Sequence, residues 1–170
     1  MKKLLPILFV VSLSSPTFAE SFYTGAGVHV LDIDATDNSF TVVAASGGYR
    51  LNDWLSFEGR LGVSDEEKEE GDGDSLQISL LSAAYVKLSA RSEVSSFAPY
   101  LLLGYSNAEF TAKFGDGAES QKVNFSDGSF GLGMDYMINE AFSVNGEYIR
   151  YFEKESIDLM GFGINLHYVF

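Results

Sequence analysis

The last ten residues of the chain alternate between apolar and mostly small or polar side chains, and this pattern constrains the fold more than any other feature. The apolar positions are Phe162, Ile164, Leu166, Tyr168 and Phe170. The positions between them begin with Gly161, Gly163, Asn165 and His167. A spacing of two is typical of a β-strand with one apolar face. Aromatic rings stand at both ends of that face, as expected where a strand meets two membrane interfaces.

The same alternation recurs along the chain and predicts about eight strands. The predicted strands are 22–30, 40–51, 55–63, 76–88, 97–110, 129–138, 142–149 and 161–170. In a bilayer every backbone polar group needs a partner within the protein, so strands cross it only as a closed barrel. The sequence therefore predicts an all-β fold, an eight-stranded antiparallel up-and-down transmembrane β-barrel with its small and polar faces toward the lumen.

The connections between these strands alternate between tight and long. Asn52-Asp53 and Asn139-Glu140 are typical of tight turns, and residues 89–96 form a short polar connection. Residues 31–39, 64–75, 111–121 and 153–156 are expected to be loops. With an even number of strands both termini lie at the end with the tight turns, which predicts the periplasmic side of a bacterial outer membrane.

Two strands are harder to orient than the others. Consecutive leucines obscure the alternation in 97–110, where we expect Tyr100 and Gly104 to face inward. In strand 76–88 the alternation groups Ile78 with Leu80 and Val86 on one face.

The amino terminus has the pattern of a secretory signal. Met1-Lys2-Lys3 precedes a short apolar stretch, and Pro16 and Ala19 come just before Glu20. We therefore expect residues 1–19 to be a signal peptide and residues 20–170 to be the outer-membrane barrel domain. The apolar stretch is too short for a membrane-spanning helix. Because the chain has no cysteine, disulfides, thiolate metal sites and a lipidated cysteine are excluded.

The chain is strongly acidic. Its formal net charge is −13, and loss of Lys2 and Lys3 with the signal would make it −15. Such a charge repels phosphate and argues against nucleic-acid binding. Much of the acid lies in the run 65–74, which we expect to be a solvated loop because its spacing does not match an EF-hand. We expect no metal site and no cofactor.

Charged and amide side chains form a second cluster, on the small and polar faces of the predicted strands. They are Glu58, Arg60, Lys87, Asp135, Asn145 and Glu147. Counted from the tight turns, all lie at a similar height in the barrel, where buried charges require partners. The favoured interpretation is an interior charged network that plugs the lumen. The other is a narrow, low-conductance pore gated by these charges.

Several short motifs resemble the transmembrane domain of outer membrane protein A and its small-barrel relatives. They are 22–26, 48–52 with Phe57-Glu58, 131–136, Glu147-Tyr148 and the terminal Tyr168-Val169-Phe170. The resemblance implies a barrel without a wide pore, inserted by the barrel assembly machinery, which recognises the terminal strand as its signal. It also places Glu58, Asp135 and Glu147 at the family's interior acidic positions. Gly27 and Asn145 depart from the family, which has a lysine and an arginine there.

We expect a structural or surface-interaction role, with the acidic loops as the contact surface for envelope or adhesion-type partners. The expected partners are outer-membrane lipid and lipopolysaccharide, and the barrel is expected to be a monomer. His29 and His167 face inward by parity but lie on the order of 10 Å or more apart, so we expect no enzyme. A soluble barrel with an apolar ligand pocket is the remaining alternative. The polar residues predicted for the lumen argue against it.

Overall fold

The computed structural model describes residues 21–33, 38–64, 68–69, 75–92, 94–113, 121–154 and 157–170. These residues form nine strands. The strands are β1 (Ser21–Ile33), β2 (Asn38–Arg50), β3 (Leu55–Val63), β4 (Lys68–Glu69), β5 (Ser75–Ser89), β6 (Phe97–Lys113), β7 (Gln121–Met137), β8 (Phe142–Lys154) and β9 (Ile157–Val169). Within these ranges the structure has no helix long and apolar enough to cross a membrane.

Eight of the strands close into a barrel. Each long strand pairs antiparallel with its neighbour in the chain, β1 pairs with β9, and β3 pairs with β5. The two-residue β4 pairs only with the start of β5. Closure removes the free sheet edges that lipid could not satisfy. The predicted eight-stranded up-and-down barrel is confirmed.

The start of β1 at Ser21, the carboxyl-terminal Phe170 and both tight turns lie at one end of the barrel, which we call the terminal end. The side-chain oxygen Oδ1 of Asn52 accepts hydrogen bonds from the backbone amides of Trp54 and Leu55, at 3.0 and 2.8 Å. Asn139 caps the second turn through the amides of Ala141 and Phe142 in the same way. The expectation of tight turns at these two asparagines is confirmed. We call the opposite end the loop end.

The strands extend farther toward the loop end than the sequence predicted. Residues 31–33, 38–39, 75, 111–113, 121 and 153–154 were expected in loops but belong to barrel strands, and 68–69 forms β4. These residues were predicted to be loops because apolar side chains no longer occupy the outward-facing positions there. The alternation ends because the polarity of the two faces reverses, while strand pairing continues.

The outer surface is apolar only over the half of the barrel next to the terminal end. On β6 the exposed face runs through Phe97, Leu101, Leu103 and Tyr105, and then continues with Asn107, Glu109 and Thr111. On β7 the same face is apolar over 130–138 and polar at Lys122 and Asn124. Nine residues per strand at about 3.3 Å each, tilted by about 40°, give a band of about 23 Å, which matches the apolar belt of an outer-membrane barrel.

The lumen has the opposite distribution. Toward the loop end it is filled by a cluster of buried apolar side chains. Its members include Leu31, Phe40, Val42, Ile78, Leu102, Phe110, Ile149, Phe152 and Leu159. Toward the terminal end it holds buried polar and charged groups. The expectation of a polar lumen is therefore wrong for the half next to the loops, where the outer face is in water and the inside packs like a soluble protein core.

Two irregularities fit large side chains into this apolar cluster. The pairing of β5 with β6 shifts between Ile78 and Leu80, so Ile78 is fully buried while Leu80 stays exposed. This corrects the assignment of both residues to one face, because an inserted residue reverses the facing of those beyond it. A second shift, between Arg150 and Phe152, lets the consecutive Tyr151 and Phe152 both point inward.

Candidate functional site

The centre of the buried polar group in the lumen is an arginine held by two carboxylates. Arg60 on β3 lies beside Glu58 on the same strand, with Nε 2.5 Å from Oε1. Across the lumen it forms a bidentate pair with Glu147 on β8, in which Nη1 reaches Oε1 and Nη2 lies 3.0 Å from Oε2. All three side chains are at least 94% buried. The fork of the guanidinium matches the carboxylate of Glu147, the strongest geometry for such a pair.

Two tyrosines complete the coordination of these carboxylates. Tyr23 donates its hydroxyl to Oε2 of Glu58, and Tyr100 donates to Oε2 of Glu147, both at 2.7 Å. Arg60 also lies over the ring of Tyr85, 5.1 Å from its centroid. Each buried charge thus has partners on more than one strand, which is the condition for keeping an ion pair out of water.

A second ion cluster lies nearer the terminal end. Lys87 on β5 places Nζ 3.0 Å from Oδ1 of Asp135 on β7, and Arg91 approaches Oδ2 of the same carboxylate at 3.5 Å. Lys87 also sits 3.8 Å from the ring centroid of Tyr100. Asn145 donates to Oδ1 of Asp135 at 3.4 Å. The charges of the two clusters balance, with three cations and three carboxylates.

Asn165 on the closing strand joins the two clusters. Its amide nitrogen donates to Oδ1 of Asn145 at 2.8 Å and to Oε1 of Glu147 at 2.9 Å. The structure therefore brings all six residues expected in the interior network into one buried hydrogen-bonded group.

The hydrogen bonds of the asparagines assign the tautomers of both histidines. Oδ1 of Asn165 lies 3.0 Å from Nε2 of His29, so Nε2 carries the proton and Nδ1 accepts from Tyr151. Asn145 donates to Nδ1 of His167 at 3.2 Å, so Nε2 of His167 is the donor toward Ser46. Each imidazole thus hydrogen-bonds through both ring nitrogens to side chains of the lumen.

Ser46, His167 and Asn145 form a chain that has the residue types of a nucleophilic triad. The hydroxyl of Ser46 lies 3.3 Å from Nε2 of His167. A general base would have to accept the serine proton at that nitrogen, but Nε2 already carries a proton because Nδ1 accepts from Asn145. In this arrangement the three side chains orient one another within the lumen. Within the described ranges no three His, Asp or Glu side chains are grouped to hold a metal ion.

Glycines on β1 and β9 make room for the large polar side chains. A Cβ atom on Gly27 would lie 2.0 Å from Oδ1 of Asn165, and one on Gly163 would lie 2.3 Å from Nδ1 of His29. A Cβ on Gly25 would lie 2.0 Å from the His167 ring. The departure at Gly27 thus has a structural reason, because a lysine there would occupy the space of the asparagine that joins the network.

Sequence reasoning did not include several members of this network. They are Tyr23, Tyr100, Arg91, Asn165, His29 and His167. All except Arg91 stand on inward faces by strand parity, and the two tyrosines and two histidines among them each face a glycine on a neighbouring strand. Pairing inward glycines with inward aromatic residues is the signal that would have found four of them.

The closing strand β9 has one face on the outer surface of the barrel and one in the lumen. Phe162, Ile164, Leu166, Tyr168 and Phe170 are exposed on the outside, whereas Gly161, Gly163, Asn165 and His167 are buried. Tyr168 packs against Phe142 and Phe170, with ring centroids 5.0 and 5.1 Å away. These rings form part of the aromatic rim at the terminal end.

A closed antiparallel barrel with an apolar outer band and buried, paired charges in part of its lumen is typical of small integral outer-membrane barrels. Residues 5–170 match the family described as "Outer membrane protein beta-barrel domain". The chain belongs to this family, whose members are located in the bacterial outer membrane. No curated protein sequence matches the chain.

Solved structures agree with this assignment. Neisserial surface protein A (NspA) has a TM-score of 0.67 at 14% identity, covering 90% of this chain and 98% of the other. Ail of Yersinia pestis, solved with the heparin analogue sucrose octasulfate, has 0.64 at 14% identity, covering 89% and 97%. The amino-terminal β-barrel domain of Pseudomonas aeruginosa OprF has 0.61 at 15% identity, covering 87% and 97%. Because the sequence identities are this low, these similarities establish the fold alone.

Proposed function

We propose that this barrel is a non-conducting, structural component of the outer membrane that presents acidic loops at the cell surface. Both termini would face the periplasm, and residues 1–19 would be removed as the signal peptide. The observation that carries the proposal is the two-layer filling of the lumen. Apolar side chains occupy the half next to the loops, and the paired charges occupy the other half.

This filling disfavours the alternative of a narrow pore gated by interior charges. Rearranging the Arg60 pair could open a path only through the polar half of the lumen. An ion would still have to pass the cluster around Phe40, Val42 and Leu102, each 0% exposed. Moving an unpaired charge through such a region is strongly unfavourable. The charges are therefore better explained as the polar part of the barrel's core.

The surface above the membrane is the remaining place for contacts with other molecules. The run 65–74 has seven acidic residues and one lysine, and the whole chain has a charge of −13. Ail was solved with a polyanion, whereas charge complementarity favours cationic partners or lipopolysaccharide bridged by divalent cations for this chain. We propose such surface contacts, together with insertion by the barrel assembly machinery through the aromatic closing strand, for a barrel that acts as a monomer without catalytic activity.

Planar-bilayer recording separates the structural barrel from the pore. Purified wild-type protein is expected to give no conductance steps. The variant Glu58→Gln, which removes one carboxylate from Arg60, is also expected to give none, because the apolar half of the lumen stays closed. A porin recorded under the same conditions provides the positive control. Regular steps from the wild type, or steps that appear only with Glu58→Gln, would support the gated pore.

A further inference from the structure

The mouth of the lumen at the terminal end concentrates positive charge in an otherwise acidic protein. The sequence has 11 lysines and arginines, and Lys2 and Lys3 lie outside the predicted barrel domain, which leaves nine. Three of those nine, Arg50, Lys87 and Arg91, line one small cavity at this mouth. The barrel thus places a third of its cations at one site.

The charges at this mouth are only partly neutralised. Lys87 and Arg91 share the single carboxylate of Asp135, at 3.0 and 3.5 Å. The other hydrogen bond of Arg91 goes to the sulfur of Met137, a weak acceptor, at 3.6 Å. Arg91 therefore keeps donor groups that protein acceptors satisfy poorly.

Arg50 is the cation that the network does not neutralise. It is the last residue of β2 and faces inward, where its Nε is buried and has no hydrogen-bond partner among the described residues. Lys87 and Arg91 line the same cavity, so like charges surround this guanidinium. A buried guanidinium nitrogen without an acceptor is costly. A bound anion would remove that cost.

We propose that this mouth binds a phosphate-type oxyanion between Arg50, Lys87 and Arg91. Two guanidinium groups provide the forked donors that suit oxyanions. The hydroxyl residues Ser56 and Ser143 also line the cavity. Its volume of about 10 Å³ is close to that needed by one water molecule, so one oxygen of the anion enters while the rest faces outward. The anion comes either from free phosphate or from a phospholipid headgroup at this end of the barrel.

Phosphorus NMR of the folded protein in a non-ionic, phosphate-free detergent tests the proposal. With the wild-type protein, the phosphorus signal of inorganic phosphate is expected to broaden and shift, and both effects should saturate as the site fills. Arg50→Gln should weaken binding about tenfold or more, since it removes a charged hydrogen-bond donor. Lys122→Gln, a change at an exposed cation far from the mouth, should leave binding unchanged.

The same measurement distinguishes the two sources of the anion. If only the headgroup is the ligand, phosphatidylglycerol added to the micelles will give the saturable shift and inorganic phosphate will not. If both bind, inorganic phosphate will compete with phosphatidylglycerol for the site. Arg91→Gln repeats the test at a second donor in case Arg50→Gln folds poorly. Absence of saturable binding of either phosphate to the wild type would overturn the proposal, as would equal binding by the wild type and a folded Arg50→Gln or Arg91→Gln variant.

Discussion

Replacing Arg60 with alanine is expected to destabilise the folded barrel by about 3 to 5 kcal/mol, because the change leaves two buried carboxylates without their cation. Glu58 and Glu147 are both fully buried at the side chain, and their remaining donors are Tyr23, Tyr100 and Asn165. These neutral groups cannot offset two negative charges a few ångströms apart. The folded barrel runs on gels as a compact band that shifts on heating. The urea concentration at which half of this band is lost, compared between wild type and variant, measures the loss of stability.

An exposed ion pair provides the matched control. Lys122 and Glu109 lie 2.6 Å apart on the outer surface of β7 and β6, with 63% and 23% of their side chains exposed. Lys122→Ala is therefore expected to cost less than about 1 kcal/mol. Combining Arg60→Ala with Glu58→Gln and Glu147→Gln should recover part of the loss, because the neutral amides no longer repel each other. If Arg60→Ala were as stable as Lys122→Ala, the network would not support the barrel.

A charge placed in the middle of the apolar band should be nearly as costly. Met134 lies at the centre of the exposed apolar face of β7, so Met134→Arg is expected to destabilise the barrel in a bilayer by about 2 to 4 kcal/mol. The reason is that the guanidinium must leave water for lipid at the depth where it cannot reach an interface. Urea unfolding in phospholipid vesicles measures this free energy directly.

The control for this substitution lies on the same face of the same strand. Asn124 is exposed at the loop end of β7, ten residues away, and its strand partner is Glu109. Asn124→Arg is expected to leave the unfolding free energy within about 1 kcal/mol of wild type, because water surrounds that position and the neighbouring carboxylate favours the charge. Equal costs at the two positions would mean that the apolar band does not coincide with the membrane.

The sequence was sufficient to predict the number of barrel strands, the tight turns and the face of most residues. Strict alternation in β1, β3, β7 and β9 assigned Phe22, Leu61, Leu132 and Ile164 to the outside, where the structure places them. Alternation succeeds in the membrane because lipid imposes one polarity on every strand. The tight turns were predictable because Asn52 and Asn139 cap the backbone locally, without help from distant residues.

The extent of the strands was not predictable in the same way. Above the membrane the outer face meets water, so Asn107 and Glu109 replace leucines outside while Ala108 and Phe110 take the inside. The pattern of apolar outward-facing residues stops where the polarity of the two faces reverses, although the strands remain paired beyond that point. Inserted residues add to the difficulty, because the shift beside Ile78 changes its face through a tertiary constraint that no local pattern contains.

The composition of the buried network was also only partly predictable. Charged residues such as Arg60 and Glu147 stand out on a face that must be enclosed. Asn165 and His29 do not, because an isolated polar residue on an inward face has many ordinary explanations. Their role depends on Gly27 and Gly163 across the β1 and β9 pairing, and so on the register with which the barrel closes.

We propose that this barrel sits in the outer membrane with its apolar band in lipid, its loop end outside and its termini in the periplasm. Because the chain has no native cysteine, single cysteines labelled with a membrane-impermeant maleimide test it most directly. We predict labelling of Asn124→Cys on intact cells, of Glu140→Cys only after the outer membrane is permeabilised, and of Met134→Cys in neither case. Labelling of Glu140→Cys on intact cells, or of Met134→Cys in the intact membrane, would contradict the account.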